Sequence, residues 1–239
     1  MNEINSFKKG IIDGLPICFG YLSVAFAFGI FAVDGGLTIL QALLISMTNV
    51  TSAGQLAGVP IMLGSGLLTE LAATQFVINL RYALMSVSLS QKLGKSVSML
   101  DRFIISFVNT DEVFAVASGN RQNVGKRYLY GLILTPYIGW SLGTLLGAIA
   151  GNILPEIIIS ALGIAIYAMF IAIVVPVAKE NKPTALCALC AIIFSCLFNY
   201  IPALKAVPGG FVIIICAVVA SIIFALLFPI SQENEVAEQ

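Results

Sequence analysis

Three clusters of polar residues interrupt an otherwise apolar sequence, and their types suit the binding of a small solute. They are the stretch 49–55 (NVTSAGQ), Arg81 with its neighbours, and the stretch 109–112 (NTDE). A break in a membrane helix exposes N–H groups at one half-helix end, which attract carboxylates, and C=O groups at the other, which suit ammonium groups. Because Gly54 permits a turn and four side chains supply hydrogen bonds, the first cluster predicts a zwitterion site at Asn49, Thr51, Ser52, Gly54 and Gln55.

Arg81 lies near the middle of the apolar segment 67–92, where a charged side chain is costly and is a functional candidate by default. Glu70 precedes it by eleven residues, so the two share a helix face about 16 Å apart and cannot pair directly. Asn79 points to the opposite face. The sequence predicts Arg81 and Asn79 as substrate-binding residues. The simpler alternative is a structural ion pair between Arg81 and an acidic residue of the third cluster.

The third cluster places two adjacent carboxylates, Asp111 and Glu112, in the middle of the segment 99–118. Adjacent carboxylates repel each other when both are ionised, so one of them could carry a proton. Glu70 is the remaining acidic candidate for proton coupling or for an ion pair. In the alternative interpretation, the segment lies as an amphipathic helix in the membrane interface, and both acids stay in water.

The composition indicates a membrane protein that lacks histidine-dependent catalytic sites. Hydrophobic residues make up 59% of the chain and charged residues 10%, against about 25% charged residues in soluble domains. The net charge of zero argues against a nucleic-acid partner. Histidine is absent, which excludes Ser-His-Asp triads and HExxH metal sites. We expect no enzyme activity, cofactor or metal, and we interpret the five cysteines as buried apolar residues.

Eight apolar segments must position these clusters, at 14–33, 38–63, 67–92, 99–118, 128–151, 154–178, 184–202 and 209–229. Lys and Arg concentrate in short cytoplasmic loops of membrane proteins. If 38–63 and 99–118 re-enter and the other six segments cross, ten of the eleven basic residues other than Arg81 are cytoplasmic, and only Lys205 is external. If all eight cross, four are external. The charges thus predict about six spanning helices, two broken re-entrant segments and a cytoplasmic N-terminus.

The order of the segments predicts an all-α polytopic membrane protein with an inverted repeat in its N-terminal half. A helix and hairpin (14–63) precede a helix and hairpin of opposite orientation (67–118), a pattern in which broken helices meet near the membrane midplane. We interpret 1–239 as one transmembrane domain, with the substrate site in 14–120 and scaffold helices in 128–229. In the scaffold, glycine recurs every fourth residue, which favours close helix packing, at Gly139, Gly143, Gly147 and Gly151.

Several motifs along the chain follow a family pattern. They are GLPICFGYLSVAFAFG at 14–29, SAGQ at 52–55, NLR at 79–81 with LM at 84–85 and SLS at 88–90, and NTDE at 109–112. Together they resemble the AzlC family, the large subunits of bacterial branched-chain amino acid exporters. The resemblance covers most of the chain and is densest over 14–120. It departs from the family at Tyr82, where members often carry a histidine after the arginine.

The resemblance implies a secondary transporter that exports valine, leucine, isoleucine or methionine across the bacterial cytoplasmic membrane, driven by protons. The implied partners are the amino acid, membrane lipid and a small hydrophobic AzlD-like membrane subunit. In this interpretation the stretch 49–55 and Asn79 bind substrate, Arg81 meets its carboxylate or pairs with the acidic cluster, and Asp111 or Glu112 carries the proton. A passive channel for small neutral or zwitterionic solutes is the alternative, since opposed re-entrant hairpins also line pores.

Overall fold

The computed structural model confirms an all-α membrane protein. It describes residues 3–229 except residue 65 and, between 152 and 180, all but 153–155, 157, 171, 174–176 and 178–179. The predicted segment 154–178 lies largely outside the described residues. Within them nine α-helices follow one another: α1 Phe7–Asp34, α2 Ile39–Thr48, α3 Ser52–Leu63, α4 Leu68–Ser90, α5 Met99–Phe107, α6 Asp111–Ser118, α7 Lys126–Gly151, α8 Lys182–Tyr200 and α9 Gly209–Leu227.

Four of the described helices are long and apolar enough to cross a membrane, namely α1, α7, α8 and α9. Helix α4 also has the length of a span at 23 residues, but it carries Glu70 and Arg81. Helix α1 starts at Phe7, seven residues earlier than the apolar pattern predicts, where the Ser6 side chain caps it. Because most of 154–178 is not described, the total of about six spanning helices stays a prediction.

Both predicted breaks are present, and each separates two short helices. Helix α2 ends at Thr48 and α3 begins at Ser52, while α5 ends at Phe107 and α6 begins at Asp111. We call residues 49–51 the first break and residues 108–110 the second break. The 10 residues of α2 and the 9 of α5 reach only about 15 Å, half the thickness of a hydrocarbon core.

The half-helices that lead into the two breaks start with the same capping motif. The Thr38 hydroxyl accepts from the Gln41 N–H, and the Gln41 side chain accepts from the Thr38 N–H. Ser98 and Asp101 make the same reciprocal pair at the start of α5. Each motif satisfies two N–H groups near a helix start, so both half-helices begin at a fixed residue.

The two hairpins return to opposite ends of α1. At one end, Gly35 lies against Leu63, so the hairpin of α2 and α3 starts and finishes there. At the other end, a parallel pair of two-residue strands, β1 (Glu3–Ile4) and β2 (Asn123–Val124), forms beside a bridge from Leu93 to Val124. The hairpin of α5 and α6 therefore starts and finishes near the N-terminus of α1. This is the opposed arrangement that the inverted repeat predicts.

Helices α1 and α7 run parallel, and their glycines let the two backbones touch. A Cβ added to Gly139 would lie 2.6 Å from the Cys18 carbonyl oxygen, and one added to Gly143 would lie 2.5 Å from that of Leu22. Gly147 lies against the Phe26 carbonyl oxygen with even less space. The prediction that the glycine stripe serves helix packing is confirmed, although α7 packs on the substrate-site half rather than apart from it.

Helices α8 and α9 form a looser pair at the other end of the described sequence. None of the residues of α8 is buried, and its main contact is with α9. Helix α9 also packs against α4, with Gly210 beside Glu70 and Thr74. Its buried residues are Gly210, Cys216 and Ala220. Among the described residues, the apolar side chains of α8 therefore remain accessible for contact with lipid or with another protein.

Candidate functional site

A polar cavity of about 190 Å³ lies where the two breaks meet. The first break and the end of α2 contribute one wall, the end of α5 and the second break contribute the opposite wall, and α4 lies between them. The polar lining residues are Thr48, Asn49, Thr51, Asn79, Tyr82, Ser106, Asn109 and Thr110. The predicted meeting of two broken helices therefore produces a partly open polar cavity in an apolar protein.

Gln75 of α4 holds the first break in place. Its side-chain oxygen accepts from the Asn49 side chain at 3.1 Å, and its side-chain nitrogen donates to the Gly54 carbonyl oxygen at 2.7 Å. Asn79, one turn later on the same face of α4, donates to the Gln75 side-chain oxygen at 3.2 Å. Three of the predicted residues, Asn49, Gly54 and Asn79, thus converge on one glutamine that the sequence did not single out.

Gly54 does not form a turn, so its predicted role was wrong. It lies in the first turn of α3, and the break ends before it at Thr51. A Cβ at Gly54 would lie 2.6 Å from the Gln75 side-chain oxygen. The glycine is therefore required for the close approach of Gln75 and not for backbone reversal.

Ser52 and Gln55 also belong to α3 rather than to the break, and neither lines the cavity. The Gln55 side chain points the other way, where its nitrogen donates to the Ser46 hydroxyl at 2.9 Å. Ser46 in turn lies 2.6 Å from the Thr144 hydroxyl of α7. Gln55 therefore ties the first hairpin to the central helix pair.

Arg81 and Asp111 form the ion pair that the sequence offered as the simpler alternative. The guanidinium nitrogen lies 2.8 Å from the Asp111 carboxylate, and both side chains are about half exposed, at 53% and 47%. Arg81 also donates to the Tyr82 hydroxyl at 3.0 Å, and that hydroxyl donates to Thr51 at 3.3 Å. One continuous chain of polar contacts thus joins Asp111, at the start of α6, to Thr51 in the first break.

Glu112 turns away from Asp111 and takes a different partner. Its carboxylate accepts a hydrogen bond from the Tyr21 hydroxyl of α1. The Tyr21 ring meets Trp140 of α7 edge-on, with the ring centroids 5.1 Å apart. Both acids lie in the first turn of α6, where the helix dipole favours negative charge. The two adjacent carboxylates therefore coexist by facing separate partners.

Two polar atoms of the second break are buried without a well-formed hydrogen bond. Asn109 is 2% exposed and Thr110 is 5% exposed. The Asn109 side chain donates to the Ser86 hydroxyl at 3.0 Å, but its oxygen is unpaired. The Thr110 hydroxyl makes no hydrogen bond of normal geometry and interacts only weakly with the Tyr21 hydroxyl. An unpaired buried polar group costs about 1–3 kcal/mol. Both residues line the cavity, which makes them candidates for ligand contact.

The two half-helix ends at the cavity differ in charge. Helix α3 starts with no acidic residue in its first turn, so its N–H groups are uncompensated by a carboxylate. Helix α6 starts with two carboxylates. Because a helix N-terminus carries a partial positive charge, the α3 end suits an anion and the acidic α6 end suits a cation.

Glu70 lies outside this constellation. It is buried, at 4% exposed, and its carboxylate accepts from the Gly210 N–H at the start of α9 at 2.7 Å. The structure thus places the predicted acidic residues in two separate locations, Asp111 and Glu112 beside the cavity and Glu70 at the contact between α4 and α9.

Gln75, Tyr82 and Tyr21 are the contacts that the sequence analysis missed. Gln75 and Asn79 are spaced to share a helix face, and an amide pair inside an apolar segment is a usable signal. Tyr82 was marked only as a departure from the family pattern, and Tyr21 carried no signal of its own, since tyrosine is common near the ends of membrane helices. No cluster of three or more potential metal ligands occurs within the described ranges.

Comparison with known proteins gives consistent matches. The sequence model described as AzlC protein matches residues 16–154. An uncharacterized membrane protein of Archaeoglobus fulgidus is 36% identical over 181 residues, which cover 75% of this chain and 79% of that protein. The inner membrane protein YgaZ of Escherichia coli is 27% identical over 195 residues, which cover 79% of each chain. No solved structure matches the sequence.

Proposed function

This chain belongs to the AzlC family of membrane proteins, and from that premise we propose that it is a secondary transporter that exports branched-chain amino acids. The observation that carries the proposal is the cavity between the two breaks. An amino acid is a zwitterion, and the cavity has one end suited to an anion and one suited to a cation.

The substrate is oriented by this difference in charge. Its carboxylate faces the N–H groups at the start of α3, beside Thr51. Its ammonium group faces the buried side-chain oxygens of Asn109 and Thr110, next to the acidic start of α6. Asn79 and Asn49 supply amide contacts from the lining. Binding would thus give partners to the two buried oxygens that the protein leaves without a well-formed hydrogen bond.

An apolar cavity beside the polar one supports an aliphatic side chain on the substrate. It has a volume of about 260 Å³ and shares Ser106 and Asn109 with the polar cavity. Its other lining residues include Leu89, Leu93 and Ile105. Transfer of a Val, Leu or Ile side chain into such surroundings contributes about 1.5–3 kcal/mol. A polar cavity that adjoins an apolar one suits valine, leucine, isoleucine or methionine better than a polar amino acid.

The remaining parts of the proposal rest on the sequence. We assign proton coupling to an acidic residue, export as the direction, and a bacterial cytoplasmic membrane with the N-terminus inside. We assign a small AzlD-like subunit as partner, and the unburied apolar surface of α8 supports contact with such a subunit or with lipid. The proposal includes no catalytic chemistry, cofactor or nucleic acid.

Efflux of valine tests the proposal. Cells that lack their own valine exporters are loaded through a valine-containing dipeptide, and intracellular valine is followed with and without the protein and its small subunit. Arg81→Ala is the variant, because it removes the ion pair at the cavity. Arg121→Ala is the matched control, since Arg121 is exposed and follows the second hairpin.

The outcomes separate the candidate functions. Faster valine loss that needs Arg81 and collapses with an uncoupler supports a proton-linked exporter. Faster valine loss that an uncoupler does not change favours a passive channel instead. Unchanged valine, with the complex shown to be folded, would exclude valine as the substrate and would contradict the proposal.

A further inference from the structure

The contact between Glu70 and the start of α9 has features that the proposed substrate site does not use. Glu70 is almost fully buried, and the only hydrogen bond to its carboxylate within the described residues comes from a backbone N–H, that of Gly210. Pro208 precedes α9 and provides no side-chain cap. The start of this 19-residue helix is therefore capped by a carboxylate from α4 and not by its own sequence.

A second buried group at the same place lacks a partner. Thr74, one turn after Glu70 on α4, is fully buried, and its hydroxyl has no hydrogen bond. A Cβ added to Gly210 would lie 2.5 Å from that hydroxyl and 2.8 Å from the Glu70 carboxylate oxygen. A carboxylate has no proton to donate to Thr74, whereas a protonated carboxyl group has one.

A cavity of about 560 Å³ gives access to Glu70. The end of α3, residues 64, 66 and 67 and the start of α9 form its walls, and among the described residues Glu70 is the only charged one in its lining. The titratable side chain of α9 is Cys216, six residues beyond Gly210, or about 9 Å along the helix. No described side chain therefore offers Glu70 a compensating positive charge in this lining.

We propose that Glu70 is a proton-binding site, separate from the cavity between the breaks, and that its protonation releases the start of α9 from α4. In the ionised state the carboxylate holds the positive end of α9. A proton from water in the cavity neutralises the carboxylate, weakens the Gly210 contact and provides a donor for the Thr74 hydroxyl. Docking of α9 is therefore strongest with Glu70 ionised and weaker with Glu70 protonated.

The inference rests on the proposed exporter for its role in transport, but the release of α9 is independent of it. Glu70 lies at the end of the molecule where the hairpin of α2 and α3 returns. The predicted topology places this end outside, where an exporter driven by protons collects them. Asp111 and Glu112 already contact Arg81 and Tyr21. With the proton bound at Glu70, their role is to stabilise the second break.

Cys216 is buried on α9, which packs against α4 and α8, so the accessibility of its thiol reports on the docking of this helix. Cys18, Cys187, Cys190 and Cys196 are replaced by serine in the full complex, and the labelling rate of Cys216 by a permeant maleimide is followed across the pH range in which the complex stays folded. Each rate is compared with that of the Glu70→Gln variant at the same pH, which removes the thiol's own ionisation from the comparison. We expect the variant to label about fivefold faster at the alkaline end, and the ratio to approach one at the acidic end.

Two neighbouring glycines provide a matched pair that leaves Glu70 intact. Gly210→Ala places a methyl group against Thr74 and Glu70, whereas nothing lies within 4 Å of a Cβ at Gly209. Gly210→Ala should label as fast as Glu70→Gln, and Gly209→Ala should label at the parent rate. A labelling ratio of one at every pH, or equal behaviour of the two alanine variants, would overturn the proposal.

A transport measurement then tests the coupling. Inside-out vesicles report valine accumulation driven by a pH gradient and valine exchange without a gradient. Glu70→Gln should reduce both activities, and the fold-reduction of gradient-driven accumulation should be about ten times the fold-reduction of exchange. Full gradient-driven accumulation in this variant would overturn the role in coupling. Parent vesicles that move no valine would contradict the proposed function alone, since the Cys216 experiment does not need transport.

Discussion

The first break and the second break share a design but differ in how their polar groups are satisfied. Each follows a half-helix that begins with a capping motif, and each ends in a threonine that precedes the next helix. In the first break, Asn49 and Thr51 are bonded to side chains of α4. In the second break, the Asn109 oxygen and the Thr110 hydroxyl are buried without well-formed hydrogen bonds.

This difference indicates that the two breaks have different roles. A hydrogen-bonded break is held rigidly by its neighbours. Buried polar groups without a partner are costly, and a ligand that bonds to them removes that cost. The charges are distributed in the same way, since both acids of the cavity region follow the second break and none follows the first. We infer that the first break is a fixed frame and that the second break changes its contacts during binding.

The largest loss of stability is expected from a substitution in the contact between α1 and α7, which supports both breaks. Helices α1 and α7 anchor the first hairpin through Thr144 and the second through Tyr21. Gly147→Ala would place a methyl group onto the Phe26 carbonyl oxygen and separate the two helices. We expect a loss of about 3 kcal/mol in the free energy of unfolding, measured by thermal unfolding of the purified complex in detergent.

Gly20→Ala is the control for that substitution. It lies on α1 with nothing within 4 Å of an added Cβ, and alanine is favoured over glycine within a helix by about 1 kcal/mol. It should unfold at the parent temperature or above. If both alanine variants behave alike, the contact between α1 and α7 is not a common support for the breaks.

The next effect is confined to the first break. Gln75→Ala removes the side chain that bonds Asn49, Gly54 and Asn79. With roughly 1 kcal/mol for each hydrogen bond, we expect a loss of about 3 kcal/mol or slightly less. Gln91→Ala, at the exposed end of α4, removes a glutamine outside these contacts and should change little. Equal stability of the two variants would show that the first break does not depend on α4.

The breaks and the helix contacts that support them also show what the sequence could predict. Both breaks were predictable, because a polar run inside an apolar segment is costly at membrane depth unless protein or water surrounds it. The glycine stripe was predictable from its spacing. The role of Gly54 was not, because it depends on a Gln75 side chain that arrives from another helix. The partner of Glu70 was equally hidden, since Gly210 is 140 residues away and a backbone N–H leaves no mark in the sequence.

A smaller effect on stability is expected for the ion pair beside the second break. Arg81 and Asp111 are half exposed, and pairs of this kind typically contribute about 0.2–1 kcal/mol. Arg81→Ala and Asp111→Ala should each cost that much, while valine efflux falls strongly, because the chain of contacts from Asp111 to Thr51 is interrupted.

The exchanged pair, Arg81→Asp with Asp111→Arg, sharpens this prediction. It restores opposite charges at the same distance, but it takes the donor away from Tyr82. Recovery of stability without recovery of efflux would place the function of Arg81 in its contact with Tyr82 and Thr51. Full recovery of both would show that the ion pair alone matters, and it would weaken the inferred link between the two breaks.

The smallest change tests the comparison most directly, because it makes the same substitution in each break. Thr51→Val removes a hydroxyl that accepts from Tyr82 and from the Gly54 N–H at the start of α3. Thr110→Val removes a hydroxyl that makes no well-formed hydrogen bond and interacts only weakly with the Tyr21 hydroxyl. We expect Thr51→Val to lower the free energy of unfolding by about 1 kcal/mol, and Thr110→Val to leave it unchanged or raised by up to about 1 kcal/mol.

Valine binding should show the reverse order. Thr110→Val loses a contact to the substrate ammonium group, so the apparent affinity for valine should fall about tenfold, whereas Thr51→Val keeps the oxygens of the second break and should bind nearly as the parent does. Unfolding temperatures with and without added valine measure both quantities on the same samples. If Thr110→Val is destabilised as much as Thr51→Val, its hydroxyl has a partner in the folded protein. The two breaks would then be equivalent frames, and the substrate contacts would have to come from α4.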